Sequence, residues 1–183
     1  MVGLLIGTAV LTGCSEKQEA NESLPTPSAT ETTPDLPPLG PEDMPMPAEA
    51  RTQDAAGAEA FTRYYIDLIN RTTNSMDAEP LRQFSDGCRD CNRIATNTEE
   101  AAAAGQAYRD GRIAITTVAP PVIDGGVASV AVIFDQAPLI VVDASGNRVE
   151  DGSSDAYTGL TGGIGLRWDG ERDSWLITDF TVG

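Results

Sequence analysis

The sequence predicts an α+β domain: three helices, then a curved antiparallel sheet of about five strands, with the helices packed on one face of the sheet. Three observations lead there. Apolar residues between Asp54 and Tyr108 recur at helical spacing, whereas beyond Gly111 the chain turns to β-branched runs. Short turn signals, Asp124-Gly125-Gly126, Ser145-Gly146-Asn147 and Asp169-Gly170, separate those runs, and connections that short join antiparallel neighbours. Ahead of residue 54 the composition becomes one that cannot fill a core.

At the N-terminus, Val2 to Leu11 is apolar but too short to span a bilayer, which takes about 20 such residues. It has the length of a signal-peptide core. It closes on Leu11-Thr12-Gly13-Cys14, which resembles a lipobox: a leucine, two small residues that admit the backbone to a peptidase, then a cysteine. The resemblance implies that residues 1–13 are a lipoprotein signal peptide and that the Cys14 thiol carries a diacylglyceryl group. Two or more acyl chains give lasting attachment to a membrane. Met1-Val2-Gly3 lacks the Lys or Arg that usually opens such a leader. Residues 14–54 then read as a disordered tether, since eight of the chain's 12 prolines lie between Pro25 and Pro47 amid Glu, Ser and Thr. Such a segment mixes coil with polyproline II.

The domain proper is expected over residues 55–183. Phe61, Tyr64, Tyr65, Leu68 and Ile69 fall at i, i+3, i+4, i+7 and i+8, the apolar stripe of a helix over about 54–74 with Asp54 as its cap. A short helix follows over 77–84, capped by Asp77, with Pro80 tolerated in its first turn. A third, containing Ala101 to Ala104, runs from Cys88 or Asn92 to Tyr108 and stops at Asp110-Gly111. Strands are expected over 112–119, 127–135, 138–143, 157–168 and 175–182. Gly159, Gly162, Gly163 and Gly165 suit a bulged, tightly bent strand; no Lys follows them to make a phosphate cradle.

Composition removes whole classes of function. The net charge is −16, shared between the tether and the domain, and no basic stretch exists, so nucleic acid is not a partner. There is no histidine, which excludes Ser-His-Asp and Cys-His nucleophilic sites and His-ligated metals. The one lysine is Lys17, in the tether, so Schiff-base chemistry in the domain is excluded as well. No metal or cofactor is expected. Asp151 to Asp155 and Asp169 to Asp173 lack the spacing of a calcium loop and read as hairpin turns.

With Cys14 assigned to lipid, Cys88 and Cys91 remain as a pair. Outside the cytoplasm such a pair oxidises, and at i, i+3 in a helical turn the Cα atoms lie about 5–6 Å apart, within disulfide range. A structural staple is expected. The redox alternative rests on Cys-x-x-Cys at a helix N-terminus, but no strand precedes it as a thioredoxin-like unit requires, and zinc would need two more ligands.

The order of elements from 55 to 183 resembles the nuclear transport factor 2-like cone, whose long first helix lies across the concave face of the sheet. Together with the lipobox, the acidic Pro-rich tether, Phe61-x-x-Tyr64-Tyr65, Cys88-x-x-Cys91 and Trp168 and Trp175 near the last turn, it also resembles an uncharacterised family of actinobacterial lipoproteins. These resemblances imply a cavity on the concave face, with Tyr64, Tyr65 and Asp135 as lining candidates and Asp67, Tyr108 and Asp179 also within reach. They imply a membrane-anchored extracytoplasmic lipoprotein presenting a non-catalytic binding or scaffold domain to an envelope protein or a small apolar ligand. Two alternatives stay open: a His-independent enzyme of the ketosteroid isomerase type, working with Tyr and Asp, and an accessory subunit of an envelope complex.

Overall fold

A computed structural model describes residues 37–183. The expected signal peptide, Cys14 and the expected tether through Leu36 lie outside the described residues. Helix α1 spans Ala55–Ser75, where Asp54 caps it by accepting a 2.8 Å hydrogen bond from the Gly57 N–H. Its stripe is buried as the spacing requires, with Phe61, Tyr65 and Leu68 almost wholly enclosed. Helix α2, Glu79–Gln83, has Pro80 in its first turn, where the missing N–H costs no helical bond. Helix α3 spans Arg89–Ala103.

The expected end of α3 requires correction. The helix stops at Gly105, not at Asp110-Gly111. Gln106 N–H donates to Ala101 O and Gly105 N–H to Ala102 O, the paired bonds of a Schellman cap, with Gly105 supplying the left-handed residue at φ +70°. Residues freed by that stop form a strand, β1, Ala107–Asp110.

The sheet is also richer than expected. Strands β2 (Ile113–Val118), β3 (Val122–Asp124), β4 (Val127–Gln136), β7 (Tyr157–Asp169) and β8 (Ser174–Val182) form a five-stranded antiparallel sheet. β2 and β3 lie in succession along the same edge of β4, because Pro120-Pro121 offers no N–H to continue one strand. β1, β5 (Leu139–Val142) and β6 (Arg148–Ser154) form a separate antiparallel sheet of three. Asp151 to Ser154 is thus strand with an irregularity around Gly152, not a hairpin turn. Along β4 every second residue from Ala128 to Phe134 is buried, so the helical layer covers one face of the large sheet and leaves the other to solvent. Register shifts between Phe134 and Gln136 and between Gly165 and Leu166 bend that sheet.

The packed region begins earlier than residue 55. Met46 and Ala50 belong to the core, with Leu39 and Met44 half-buried against it, and a 3-10 turn covers Ala48–Arg51. Arg51 ties this strap down by donating to the carbonyls of Pro37 (2.6 Å), Arg172 (2.8 Å) and Asp173 (3.3 Å). Met46, buried, with Leu39 and Met44 partly so and the small Ala50, supplies the apolar contacts of the strap, a fully buried side chain of the size of Met being worth about 1.5–3 kcal/mol. Average composition conceals them.

Candidate functional site

A cavity of about 640 Å³ opens between the C-terminal half of α1, helix α3, β1 and the two sheets. Its enclosed end is apolar: Ile69 from α1, Ile113 from β2, Phe134 from β4, Phe180 from β8 and Leu139 and Val141 from β5. Each is placed by its element. Phe134 points inward on the alternating pattern of β4, and Phe180 lies beside it with ring centroids 6.4 Å apart.

Neutral polar groups ring this floor, among them Thr72, Thr98, Tyr108, Gln136 and Ser153. The Thr98 hydroxyl donates to Ile94 O at 3.0 Å. Ser153 Oγ accepts from Val141 N–H at 3.0 Å, which stitches β6 to β5 at its irregularity. Burial pushes the Tyr108 phenol above its ordinary 10.0, an effect partly offset by the Thr98 hydroxyl. Tyr108 is therefore protonated at neutral pH and offers a donor. The mouth carries exposed Arg93, Asn97, Glu100 and Asp151.

Two features of the chain create this space. Asp110 and Gly111, both with positive φ, turn the chain from the small sheet into the large one. At Gly111 the φ of +83° favours glycine, and a Cβ there would stand 2.5 Å from Leu139 Cδ1 and push that side chain aside. Across from it Asn70, on α1, donates to Ile113 O at 2.9 Å and accepts from Ile113 N–H at 2.8 Å. Ile113 sits at an edge of the sheet and has no strand on that side, so Asn70 takes the place of one.

The three expected lining residues are not in the cavity. Tyr64 is core, edge-on to Phe84 with centroids 5.7 Å apart, and its hydroxyl donates to Met44 O at 3.1 Å. Burial raises its pKa to about 12. Tyr65 donates to Leu81 O at 3.2 Å, and burial likewise pushes its phenol well above the ordinary range. The long stripe that made these tyrosines conspicuous packs them against the strap and α2. Asp135 falls on the other face of β4 from Phe134 and Gln136, where its Oδ1 accepts from Gly159 N–H at 2.8 Å. It pins the register shift between β4 and β7. Of the other residues within reach, Tyr108 does line the cavity, brought there by the strand that replaced the tail of α3.

Cys88 and Cys91 form a disulfide with Cα atoms 5.3 Å apart. Both are buried, and Cys88 Sγ accepts from Cys91 N–H at 3.2 Å, capping α3. A pair so enclosed acts as a staple at the corner between α2 and α3. Asp169 Oδ1 accepts from Glu171 N–H at 3.0 Å in the last turn. Among the described residues no group of three or more Cys, Asp or Glu is placed to hold a metal ion. A second, more open hollow of about 400 Å³ lies beside Arg71, whose guanidinium is already paired with Asp43 (2.9 Å) and Asp77 (3.0 Å).

Residues 41–180 match the model of a family of unknown function, DUF6318. The chain belongs to that family. The DUF6318 match starts within the strap and ends in β8, so it takes in every element that lines the cavity. A comparison with curated proteins finds no match. Among solved structures, the intermembrane space region of chloroplast protein ARC6 is similar to this chain at 20% identity and a TM-score of 0.52, over 72% of this chain and 97% of that one. At that identity the likeness shows a shared fold. Aln2 from a Streptomyces species is similar at 11% identity and a TM-score of 0.44, over 72% and 93% of the two chains. A chain whose name begins Rd1NTF2_05 is similar at 13% identity and a TM-score of 0.38, over 69% and 99%.

Proposed function

We propose that this DUF6318 domain is a binding module whose cavity takes a small, mainly apolar molecule. We propose further that it is presented outside the membrane from a lipid on Cys14. The observation that carries the binding reading is the cavity itself: about 640 Å³, an apolar floor, and a ring of neutral hydrogen-bonding groups. That size and lining are typical of sites for small ligands, in which the floor supplies affinity and the ring fixes orientation. Binding is favoured over acid–base catalysis by Tyr and Asp because Asp151 stands exposed at the mouth while the enclosed end holds no carboxylate among the described residues. A general base there would lack the desolvated setting that tunes it.

The test is saturable binding of an uncharged apolar fluorophore, Nile red, to the wild type and to Ala101→Trp. Ala101 lines the cavity from α3, so an indole at that position occupies the space. Loss of about tenfold or more in affinity, with an unchanged far-ultraviolet circular dichroism spectrum and a cooperative melt, supports the reading. Equal binding by a folded Ala101→Trp variant refutes it. The anchor has its own test: a Cys14→Ser chain expressed in its host should no longer incorporate an alkynyl fatty acid.

A further inference from the structure

We infer that the cavity selects an apolar cation, an alkyl or aryl amine, over neutral and anionic molecules of the same shape. This deepens the binding reading above and rests on it. Among the described residues the only basic group lining the cavity is Arg93, and its guanidinium lies 3.2 Å from Asp90, one helical turn away. Asp90 also faces Arg89 at 3.7 Å, so it answers part of the Arg93 charge. Glu100 and Asp151 also line the cavity, and among the described residues neither forms an ion pair. The neighbouring Glu99, by contrast, is held by Arg82 at 2.7 Å, so the acid left over on this face of α3 is the one at the opening.

An anionic head in the mouth would meet two unanswered carboxylates and a guanidinium already partly engaged. The chain's net charge of −16 adds a long-range field of the same sign. An ammonium head would meet complementary charge at the mouth while its apolar body lies on Phe134 and Phe180. The neutral ring accepts hydrogen bonds from an ammonium through Gln136 Oε1 or the Tyr108 oxygen, so the head need not leave its donors unsatisfied. The chemistry that is missing is the one that fatty acids and phosphate esters require.

The experiment titrates the full chain with three compounds of one size, octylamine, 1-octanol and octanoate, by calorimetry at pH 7. Octylamine should bind about three- to tenfold more tightly than octanol, and octanoate more weakly than either, which is the range two solvent-exposed charge contacts supply. Raising sodium chloride from about 0.05 to 0.5 M should compress the order, since exposed charges are screened. Glu100→Gln with Asp151→Asn, both exposed positions, should bring octylamine level with octanol. Equal affinity of amine and alcohol for the wild type, or tightest binding of octanoate, overturns the inference while leaving the binding module intact. Absence of binding by all three overturns both.

Discussion

Asn70→Ala tests how α1 and the edge strand are joined. In the wild type the Asn70 side chain closes both hydrogen bonds of Ile113, at 2.9 and 2.8 Å, and only 9% of Asn70 is exposed. Alanine leaves one backbone N–H and one C=O without partners at a site that water reaches poorly. Each such orphan costs about 1–3 kcal/mol, so the loss should be about 3 kcal/mol. With a urea slope near 2 kcal/mol per molar, the unfolding midpoint should fall by about 1.5 M, read from the fluorescence of Trp168 and Trp175. Asn70→Asp sharpens the test. Its carboxylate still accepts from Ile113 N–H but presents an oxygen to Ile113 O, so it should lose as much at neutral pH. Protonation restores the donor, which raises the folded pKa above the unfolded value of about 3.9. The stability of the Asp variant relative to wild type should therefore be greatest below that value and fall as pH rises through the folded pKa. A midpoint shift under about 0.3 M for Asn70→Ala, or a pH-independent deficit for Asn70→Asp, refutes this account of the joint.

Three further outcomes are expected. Cys88→Ser, which opens a loop of four residues, should lower stability by roughly 2 kcal/mol on loop-closure entropy, seen as a lower melting temperature with unchanged far-ultraviolet circular dichroism. Arg51→Ala removes three donations to carbonyls and should speed amide exchange at Met44 and Met46 while leaving β4 and β7 protected. Asp54 is a capping carboxylate held below its ordinary 3.8, chiefly by the Gly57 N–H and then by the Thr52 hydroxyl. Its contribution, about 1 kcal/mol for an N-cap, is complete above roughly pH 5 and lost as pH falls through the lowered folded value. The melting-temperature gap between wild type and Asp54→Ala should therefore close in acid.

The helices are largely legible in the sequence because their signals are local. The spacing from Phe61 to Ile69 specifies α1, and Asp54 marks its start to the residue. The Cys88–Cys91 pair follows from counting cysteines. What escapes the sequence is tertiary. Gly105 sits at the end of an alanine run, and propensity carries such a run onward as helix; only the cap geometry turns Gln106 away and makes β1. Strand β6, Arg148 to Ser154, has little β-branched character and pairs because β5 lends it an edge. The strap from Pro37 is hidden by its prolines, although Met46 and Ala50 are as buried as core residues of the domain.

The site shows the same division. Tyr64 and Tyr65 are conspicuous as polar-tipped residues on a long apolar stripe, and that stripe takes their hydroxyls to backbone carbonyls. Tyr108 becomes a cavity residue only through the strand that helix propensity conceals. Asp135 follows from parity along β4: with Phe134 facing in, its neighbour faces out. That inference is available once the core face of β4 is chosen, whereas the role of Asp135 on Gly159 needs the register. Asn70 gives no signal at all, since a lone amide in a helix ordinarily faces water.

The most direct test of the binding account is methyl NMR of the isoleucines during titration with 1-octanol. Ile69, Ile94 and Ile113 line the cavity, whereas Ile133 lies on the solvent face of the large sheet and serves as the control. Saturable shifts at the first three with Ile133 unmoved is the result the account predicts. Shifts at none of them, or equal shifts at all four, would contradict it.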